Sequence, residues 1–340
     1  MRILAIVLLL SASVAAADDT PLDDPALELL VTPSPSHAPF VRAIDGAQAS
    51  IDMAMFHLTD PEVIEALVKA ARRHVAVRVI LDGASLQDPK LAKVQRRLRD
   101  AGIDVRPSSA AFSITHEKAM VVDRATAFIT AINLTKPVAT TRDFGVVTRV
   151  VPIVAEVERV FEADLDNAKH GTGATPELHE PALVWSPVDS RPKLKALIER
   201  ATKTLDVTVE NLGDLVIEDA LIAAAKREVV VRLIVPACDK NPDPHLNFAP
   251  GAKLAKAGVV VRAMMPPESA TQPYMHSKMI LADAAIAYVG SVNFSKNSTT
   301  KARELGVIFA NKAAAKTIAS VFDEDWRRAV ALPDPPPACP

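Results

Sequence analysis

A chain of 340 residues has room for two domains of ordinary size, or for one domain built from two fused halves. Its 49% hydrophobic and 24% charged content is that of an ordinary soluble globular protein. The formal net charge of -2 gives no global reason to bind a polyanion, so positive potential has to be local, inside a cleft, and 4% aromatic residues leave little material for base-stacking platforms.

Residues 1–17 read as a secretory leader, with Arg2, the apolar run ILAIVLLL and a small-residue run from Ser11 to Ala17, and cleavage expected near Ala17. A buried terminal strand or helix is the bland alternative. A secreted or periplasmic location follows from the leader. No cysteine follows the apolar run to carry a lipid anchor, and no later stretch approaches the roughly 18 uncharged apolar residues of a membrane span. Cys238 and Cys339 are the only cysteines, and spacing alone does not decide whether they pair.

Asp18 to Pro39 is polar, proline-punctuated and extended. A helical stretch over Phe40–Ala47 and an alternating strand over Ser50–Phe56 come next. Asp60-Pro61-Glu62 has the residue types of an N-cap, a first-turn proline and a first-turn acid, opening a helix whose apolar stripe is Ile64, Leu67, Val68 and Ala71. A strand over Val75–Leu81, a helix over Lys90–Asp100 and a short strand over Ile103–Arg106 lead to ITHEKAMVVDRATAFITAINLT, residues 114–135. A closing strand, Phe144–Arg149, and a helix carrying Val160 and Phe161 complete the first half.

The order then repeats. VVVRLIV (Val229–Val235) echoes VAVRVIL (Val75–Leu81), AGVVVRA echoes AGIDVRP, and YMHSKMILADAAIAYVGSVNFS, residues 274–295, aligns without a gap on the first motif. A repeat of about 155 to 160 residues is too long for a solenoid unit and suits duplicated domains. Strands alternating with helices predict two similar α/β lobes, each a mixed β-sheet flanked by helices, related by pseudo-twofold symmetry. The expected division is a first lobe over 18–170, a linker over 171–184 where Gly, Thr and Pro interrupt both periodicities, a second lobe over 185–330 and a Pro-rich tail over 331–340.

The alignment matches His116 with His276, Lys118 with Lys278, Asp123 with Asp283 and Asn133 with Asn293. Residues i and i+2 of a strand point the same way, so each histidine and lysine face one site, while the opposite parity of Asp123 and Asp283 makes them turn or bracing residues. Two imidazoles, two ammonium groups and two amides converging make a donor-rich pocket suited to a phosphodiester. One imidazole can attack phosphorus and the other protonate the leaving alcohol. A carboxylate on the second ring nitrogen fixes the tautomer, and Asp143 and Glu304 stand at matching places for that task. Asn133 and Asn293 also read as strand-ending turn residues, and Asp143 and Glu304 as plain surface acids. His57, matched by Asn211, lines the cleft mouth or sits on an exposed loop; His37, His74, His170, His179 and His245 read as surface or loop residues.

The two HxKxxxxD motifs, the GSxN after the second and the acid ten or eleven residues past each Asn resemble the phospholipase D superfamily across nearly the whole mature chain. The resemblance implies a two-lobed fold and phosphodiester chemistry through a phosphohistidine without metal or other cofactor, most directly on a phospholipid. It implies His116 as nucleophile and His276 as acid, or the reverse. Lys118, Lys278, Asn133, Asn293 and Ser291 would hold the phosphate, Asp143 would orient His116, and Glu304 would orient His276. It counts Asp123 and Asp283 in the catalytic motifs, in a more structural than chemical role. With both motifs in one chain, a monomer suffices. A nuclease of the same superfamily and a non-catalytic binding protein remain open. So does the effect of Thr130-Ala131, which stands where the second copy has Gly290-Ser291. The connectors 82–90, 236–250 and 266–273 are expected to flank the cleft, with Leu246, Phe248, Met264 and Met265 as the nearest apolar residues.

Overall fold

The computed structural model describes residues 20–240 and 242–339. The leader-like stretch 1–17 lies outside the described residues.

The first lobe contains strands β1 (Glu28–Val31), β2 (Ser50–Met55), β3 (Ala76–Leu81), β4 (Asp104–Pro107), β5 (Lys118–Val122), β6 (Thr126–Thr130), β7 (Thr141–Arg142) and β8 (Phe144–Thr148). Its helices are α1 (Ala38–Gly46), α2 (Pro61–Arg72), α3 (Pro89–Asp100) and α4 (Val151–His170). The second lobe has β9 (Leu183–Ser186), β10 (Thr204–Thr208), β11 (Val230–Pro236), β12 (Val260–Met264), β13 (Tyr274–Met275), β14 (Met279–Ala282), β15 (Ile286–Gly290), β16 (Glu304–Phe309) and β17 (Val330–Ala331). Its helices are α5 (Ser190–Arg200), α6 (Leu215–Lys226), α7 (Phe248–Lys256), α8 (Lys296–Thr300) and α9 (Lys312–Arg328).

Two mixed sheets result, ordered β1-β8-β6-β5-β2-β3-β4 and β17-β12-β11-β10-β14-β15-β16-β9. In both, the βαβα run supplies parallel strands (β2-β3-β4, β10-β11-β12), and a hairpin (β5-β6, β14-β15) joins antiparallel to the first of them. Amphipathic helices cover the outer faces: Val63, Ile64, Leu67 and Val68 of α2 sit in the same core cluster as Met53 and Val79, and α6 does the same with Ile217 and Leu221 against Val207 and Leu233. The inner faces meet in one shared core that contains Val121, Ile129 and Val146 from the first sheet, Met279, Leu281 and Val307 from the second, and apolar residues of α4 and α9. A sheet buried on both faces explains why the strands read as nearly continuous apolar runs.

Asp60 and Asp214 cap α2 and α6 by accepting from two backbone N–H groups each, as their N-cap residue type dictates. The division of the chain is less tidy than an even split at a linker. The segment expected to be only extended before Pro39 contributes β1, and its Leu22 bridges to Phe309 in the other lobe. Strand β9 begins at Leu183, inside the expected linker. Cys238 and Cys339 are disulfide-bonded, which ties the Pro-rich tail to the connector after β11.

Asp123 and Asp283 stand at the hairpin turns. Asp123-Arg124 and Asp283-Ala284 all have φ between 51° and 53°, which matches the two-residue turn whose twist suits a hairpin. The Asp283 carboxylate accepts from the N–H groups of Thr202, Lys203 and Thr204, and Asp123 from those of Gln48, Ala49 and Ser50. Each clamps its hairpin to the start of the neighbouring strand, and neither lines the central cleft. Burial opposes ionisation of Asp283, but those N–H groups outweigh it and hold the acid at about 2, below its ordinary 3.8. A lowered carboxylate stabilises the fold above its ordinary value and ceases to do so as pH falls through its folded one. Asp283→Ala is expected to cost about 1–3 kcal/mol in urea unfolding at neutral pH. The difference from wild type should shrink between pH 4 and 2; a constant difference would contradict the ionised clamp.

Candidate active site

The two motifs meet across the lobe interface. Strand β7 pairs parallel with β13, placing Thr141 beside Tyr274 and Arg142 beside Met275. On the other side of the pseudo-twofold, the His116 N–H donates to the Arg303 carbonyl at 2.9 Å, and Thr115 bridges to Arg303. These short pairings bring the imidazoles of His116 and His276 to 6.3 Å between ring centroids, at the floor of a cleft of ≈ 810 Å³.

The carboxylates cross over. His116 Nδ1 is 2.8 Å from Glu304, and His276 Nδ1 is 2.8 Å from Asp143. The expected pairing of His116 with Asp143 and His276 with Glu304 is therefore corrected. Glu304 is the first residue of β16 and Asp143 directly precedes β8, so each acid stands at the start of its own lobe's closing strand, and the interface turns that strand end toward the other lobe's histidine. The residues just before these acids cross as well: Arg142 makes a two-pronged pair with Asp325 of α9, and Arg303 with Asp164 of α4.

Lys118 and Lys278 lie one layer behind the rings, each 1% exposed. Lys118 Nζ donates to the His116 carbonyl at 2.6 Å, while Lys278 donates to the His276 carbonyl and, at 2.9 Å, to Glu210. Burial, then the neighbouring Lys278, pushes Lys118 down to about 7.

The two sides of the site are not equal. Phe56 in the first lobe aligns with Glu210 in the second. Phe56 packs edge-on against His116 at 4.7 Å and lies under the Lys118 ammonium at 5.0 Å. Glu210 pairs with Lys278, accepts from the Tyr274 hydroxyl at 2.9 Å and lies 3.5 Å from His276 Nε2. Burial alone would raise Glu210, but His276 and Lys278 outweigh it and hold the acid well below the usual range. His116 goes the other way: burial first, then Lys118 and Lys278, lowers it well below its ordinary value. Burial also pushes Glu304 up to about 7. Both members of the His116–Glu304 pair are thus driven toward their neutral forms. Because His116 Nδ1 also faces the Ser291 carbonyl, at 3.3 Å, that nitrogen carries the proton and Nε2 keeps its lone pair. His276 instead has a carboxylate at each ring nitrogen, Asp143 at Nδ1 and Glu210 at Nε2.

Asn133 and Asn293 both line the cleft. Asn293 Oδ1 accepts from the Asn211 N–H at 3.0 Å, which turns its amide N–H groups toward the cavity. Asn133 Oδ1 is buried without a partner. Ser291 is displaced from its expected role: it is fully buried, and its hydroxyl exchanges hydrogen bonds with the Leu305 backbone, so its contribution is the carbonyl facing His116. In the first lobe, the Thr130 hydroxyl donates to the Lys118 carbonyl and accepts from the Ile132 N–H, and its methyl occupies the space over Gly145. The Thr130-Ala131 departure is therefore absorbed in the backbone behind the site.

His57 lines the cleft, stacked on Phe56 at 4.1 Å, and burial together with Lys118 pushes it down to about 4. His37, expected at the surface, is 2% exposed and held by Asp60 and the Asn133 carbonyl. Of the three connectors, the one after β11 lines the cleft, through Lys240, Pro242, Asp243 and Leu246. The expected apolar residues other than Leu246 do not line it, Met264 being in the shared core; the apolar wall comes from Phe56, Ile114, Ile132 and Val138 of the first lobe. Neither Glu210 nor Phe56 was singled out in the sequence. Aligning the two strand ends residue by residue would have exposed an acid opposite an aromatic one position before His57 and Asn211.

A pseudo-twofold cleft with one free imidazole nitrogen, one doubly flanked imidazole and lysines behind both defines a phosphodiester-transfer site. The profile described as "Cardiolipin synthase, PLD-like domain" matches residues 40–165 and 194–326. This chain belongs to that phospholipase D-like family and is a phosphodiester-cleaving enzyme. It is 26% identical to "Phospholipase D Z" of Dictyostelium discoideum, over 95% of this chain and 91% of the relative. It is 25% identical to "Probable cardiolipin synthase YwiE" of Bacillus subtilis, over 79% of this chain and 59% of the relative. Among solved structures, the fold is similar to phosphatidylserine synthase of Haemophilus influenzae, with a TM-score of 0.68 and 10% identity over 89% of this chain and 87% of the other. It also resembles polyphosphate kinase of Porphyromonas gingivalis, with a TM-score of 0.69 and 18% identity over 88% of this chain and 47% of the other.

The crossing has a direct readout. In nitrogen-15 spectra of the imidazoles, Glu304→Gln is expected to shift the His116 ring and leave His276 near wild type, and Asp143→Asn to do the reverse. Perturbation of the histidine in the same lobe would show that the pairs do not cross in solution.

Proposed function

We propose that this chain cleaves or transfers the phosphodiester of a phospholipid, with His116 as nucleophile and His276 as general acid and base. The observation that carries the assignment of roles is Glu210, the second carboxylate beside His276, where the first lobe has Phe56. His116 Nε2 attacks phosphorus, a P–N bond forms, and the P–O bond to the leaving alcohol breaks as His276 Nε2–H gives that oxygen its proton. Water or a second alcohol then attacks phosphorus while His276 takes its proton, and the P–N bond breaks. Lys118, Lys278, Asn133 and Asn293 supply the positive charge and amide donors that a phosphoryl group passing between the rings requires. The apolar wall of Phe56, Ile114, Ile132 and Val138 supports a lipid over a nucleic acid, as do the phospholipid enzymes among the relatives.

Both motifs lie in one chain, so the functional unit we infer is a monomer. The leader-like residues 1–17 support export to the periplasm or outside the cell, and a disulfide suits an oxidising compartment. Among the described residues, no helix is long and apolar enough to cross a membrane.

Purified protein is expected to turn over phosphatidylcholine, phosphatidylethanolamine or phosphatidylglycerol, and His116→Ala or His276→Ala to lower the rate roughly 10²–10⁴-fold. With a nitrophenyl diester, whose leaving group needs no proton, His276→Ala should still release nitrophenolate and accumulate phosphohistidine. His116→Ala should form none. An intermediate trapped in His116→Ala would swap the roles, and DNA cleavage without lipid turnover would replace the substrate class.

The pH dependence follows from the same groups. His116 must be neutral to attack, and its lowered value puts the acid limb of kcat/KM well below 6.5. Lys118 must be charged to attract phosphate, and its value of about 7 puts the alkaline limb near neutrality. The profile is bell-shaped and reports the coupled groups of the free enzyme. Undiminished kcat/KM from pH 7 to 9 would rule out the Lys118 limb.

A further inference from the structure

A second cavity, of ≈ 240 Å³, lies between β1, the start of α1 and the turn Lys136–Ala139. It shares Thr32, Ile132 and Val138 with the catalytic cleft, and Ile132 directly precedes the phosphate-facing Asn133. Its remaining wall is mostly carbon: Leu29, Leu30, Val31, Pro39 and Phe40.

Apart from the Ser36 hydroxyl, the polar side chains at its edge are already committed within the protein. The Thr32 hydroxyl donates to the Thr141 carbonyl at 2.6 Å and accepts from the Asp143 N–H at 2.8 Å. The Ser34 hydroxyl donates to the Ser36 carbonyl at 2.9 Å, and both nitrogens of His37 are bonded, to Asp60 and to the Asn133 carbonyl. A sugar or a base edge entering here would find only the Ser36 hydroxyl for its several polar groups, whereas an alkyl chain would lose nothing and would complete the burial of partly buried leucine and valine. The wall also comes largely from residues 29–39, which precede the matched family region starting at residue 40. The same segment holds the site itself, since Thr32 bonds the Asp143 N–H and His37 the Asn133 carbonyl.

We propose that this cavity is the subsite for one acyl chain of the substrate whose phosphate lies between His116 and His276. This rests on the phospholipid reading above and adds to it a chain-length selector built from the segment preceding the lobe. Filling the cavity couples to catalysis through Thr32 and His37, which touch both the cavity and the residues that face the phosphate.

The test uses the full mature chain and monomeric short-chain phospholipids, from dibutyroyl to dioctanoyl, with the headgroup wild type turns over fastest. Bis(p-nitrophenyl) phosphate is the chainless reference. For wild type, kcat/KM should climb about fourfold per methylene entering the cavity, the equivalent of ~0.8 kcal/mol per buried CH₂, and then level off. Leu30→Trp, which fills the cavity, should flatten the climb and lower the ratio of dioctanoyl to chainless activity at least tenfold. Leu30→Ala, which enlarges it, should extend the climb to longer chains. If both variants keep the wild-type ratio and slope within twofold, the assignment is overturned, and equal losses on both substrates count the same way because the ratio is then unchanged. Wild type that cleaves the nitrophenyl diester and no phospholipid would instead overturn the substrate class proposed above. Wild type that cleaves neither would overturn the catalytic reading.

Discussion

The structure depends on a carboxylate from one lobe bonding the histidine of the other. With Glu304 on His116 and Asp143 on His276, neither lobe has an oriented imidazole by itself. A neutral histidine whose Nδ1–H is not anchored is free to change tautomer and ring angle, and a nucleophile needs both fixed. The same crossing is repeated one residue earlier by the Arg142–Asp325 and Arg303–Asp164 pairs, each buried and two-pronged. Breaking such a pair by removing one partner strands a buried charge at a cost of about 3–5 kcal/mol, so the lobes are locked in the one relative placement that assembles the site. Geometry for catalysis and cohesion between the lobes are thus maintained by the same two strand ends.

Symmetry places the groups, but it cannot assign their tasks. Two equivalent imidazoles in one cationic cleft would compete for the same proton and either role. The substitution of Phe56 for Glu210 between the copies resolves that competition. An aromatic ring beside His116 supplies no acceptor and deepens its desolvation, while the same position beside His276 places a second carboxylate 3.5 Å from Nε2. The lysines differ as well. Lys278 is paired with Glu210, whereas Lys118 donates to the His116 carbonyl and lies over the Phe56 ring, and burial together with Lys278 pushes Lys118 down to about 7. One position in the aligned strand ends therefore changes the proton inventory of the whole cleft.

Much of this was legible in the chain. The gapless doubling of HxKxxxxD required two lobes and one composite site, and period-2 parity alone assigned Asp123 and Asp283 to turns, where positive φ and three N–H donors now hold them. Parity could not reveal which lobe an acid serves, because Asp143 and Glu304 lie at strand ends whose direction is set by the interface and not by local sequence. His37 looked like a loop histidine because its partners, Asp60 and the Asn133 carbonyl, are 23 and 96 residues away. Ser291 looked like a phosphate ligand because a hydroxyl beside a motif suggests one, yet its packing against Leu305 leaves only its carbonyl at the site.

The departure at Thr130-Ala131 shows why such a motif can vary without losing its geometry. In the second lobe, a Cβ on Gly290 would stand 2.3 Å from the Gly306 Cα, so no side chain fits there. In the first, Thr130 and Gly145 occupy the equivalent places, and a side chain at 145 would collide with Thr130 at 2.5 Å. The space between the two strands holds the Thr130 side chain in the first lobe; in the second the Tyr288 side chain takes it, its hydroxyl 2.6 Å from the Cβ position of Gly306. Thr130 then uses its hydroxyl to bridge the Lys118 carbonyl and the Ile132 N–H, bonding the strand that carries Lys118 to the turn that carries Asn133. What the glycine and serine achieve in one copy by close backbone approach, a threonine achieves in the other by hydrogen bonding. The constraint on this stretch is the position of the backbone behind the histidines, and more than one pair of residues meets it.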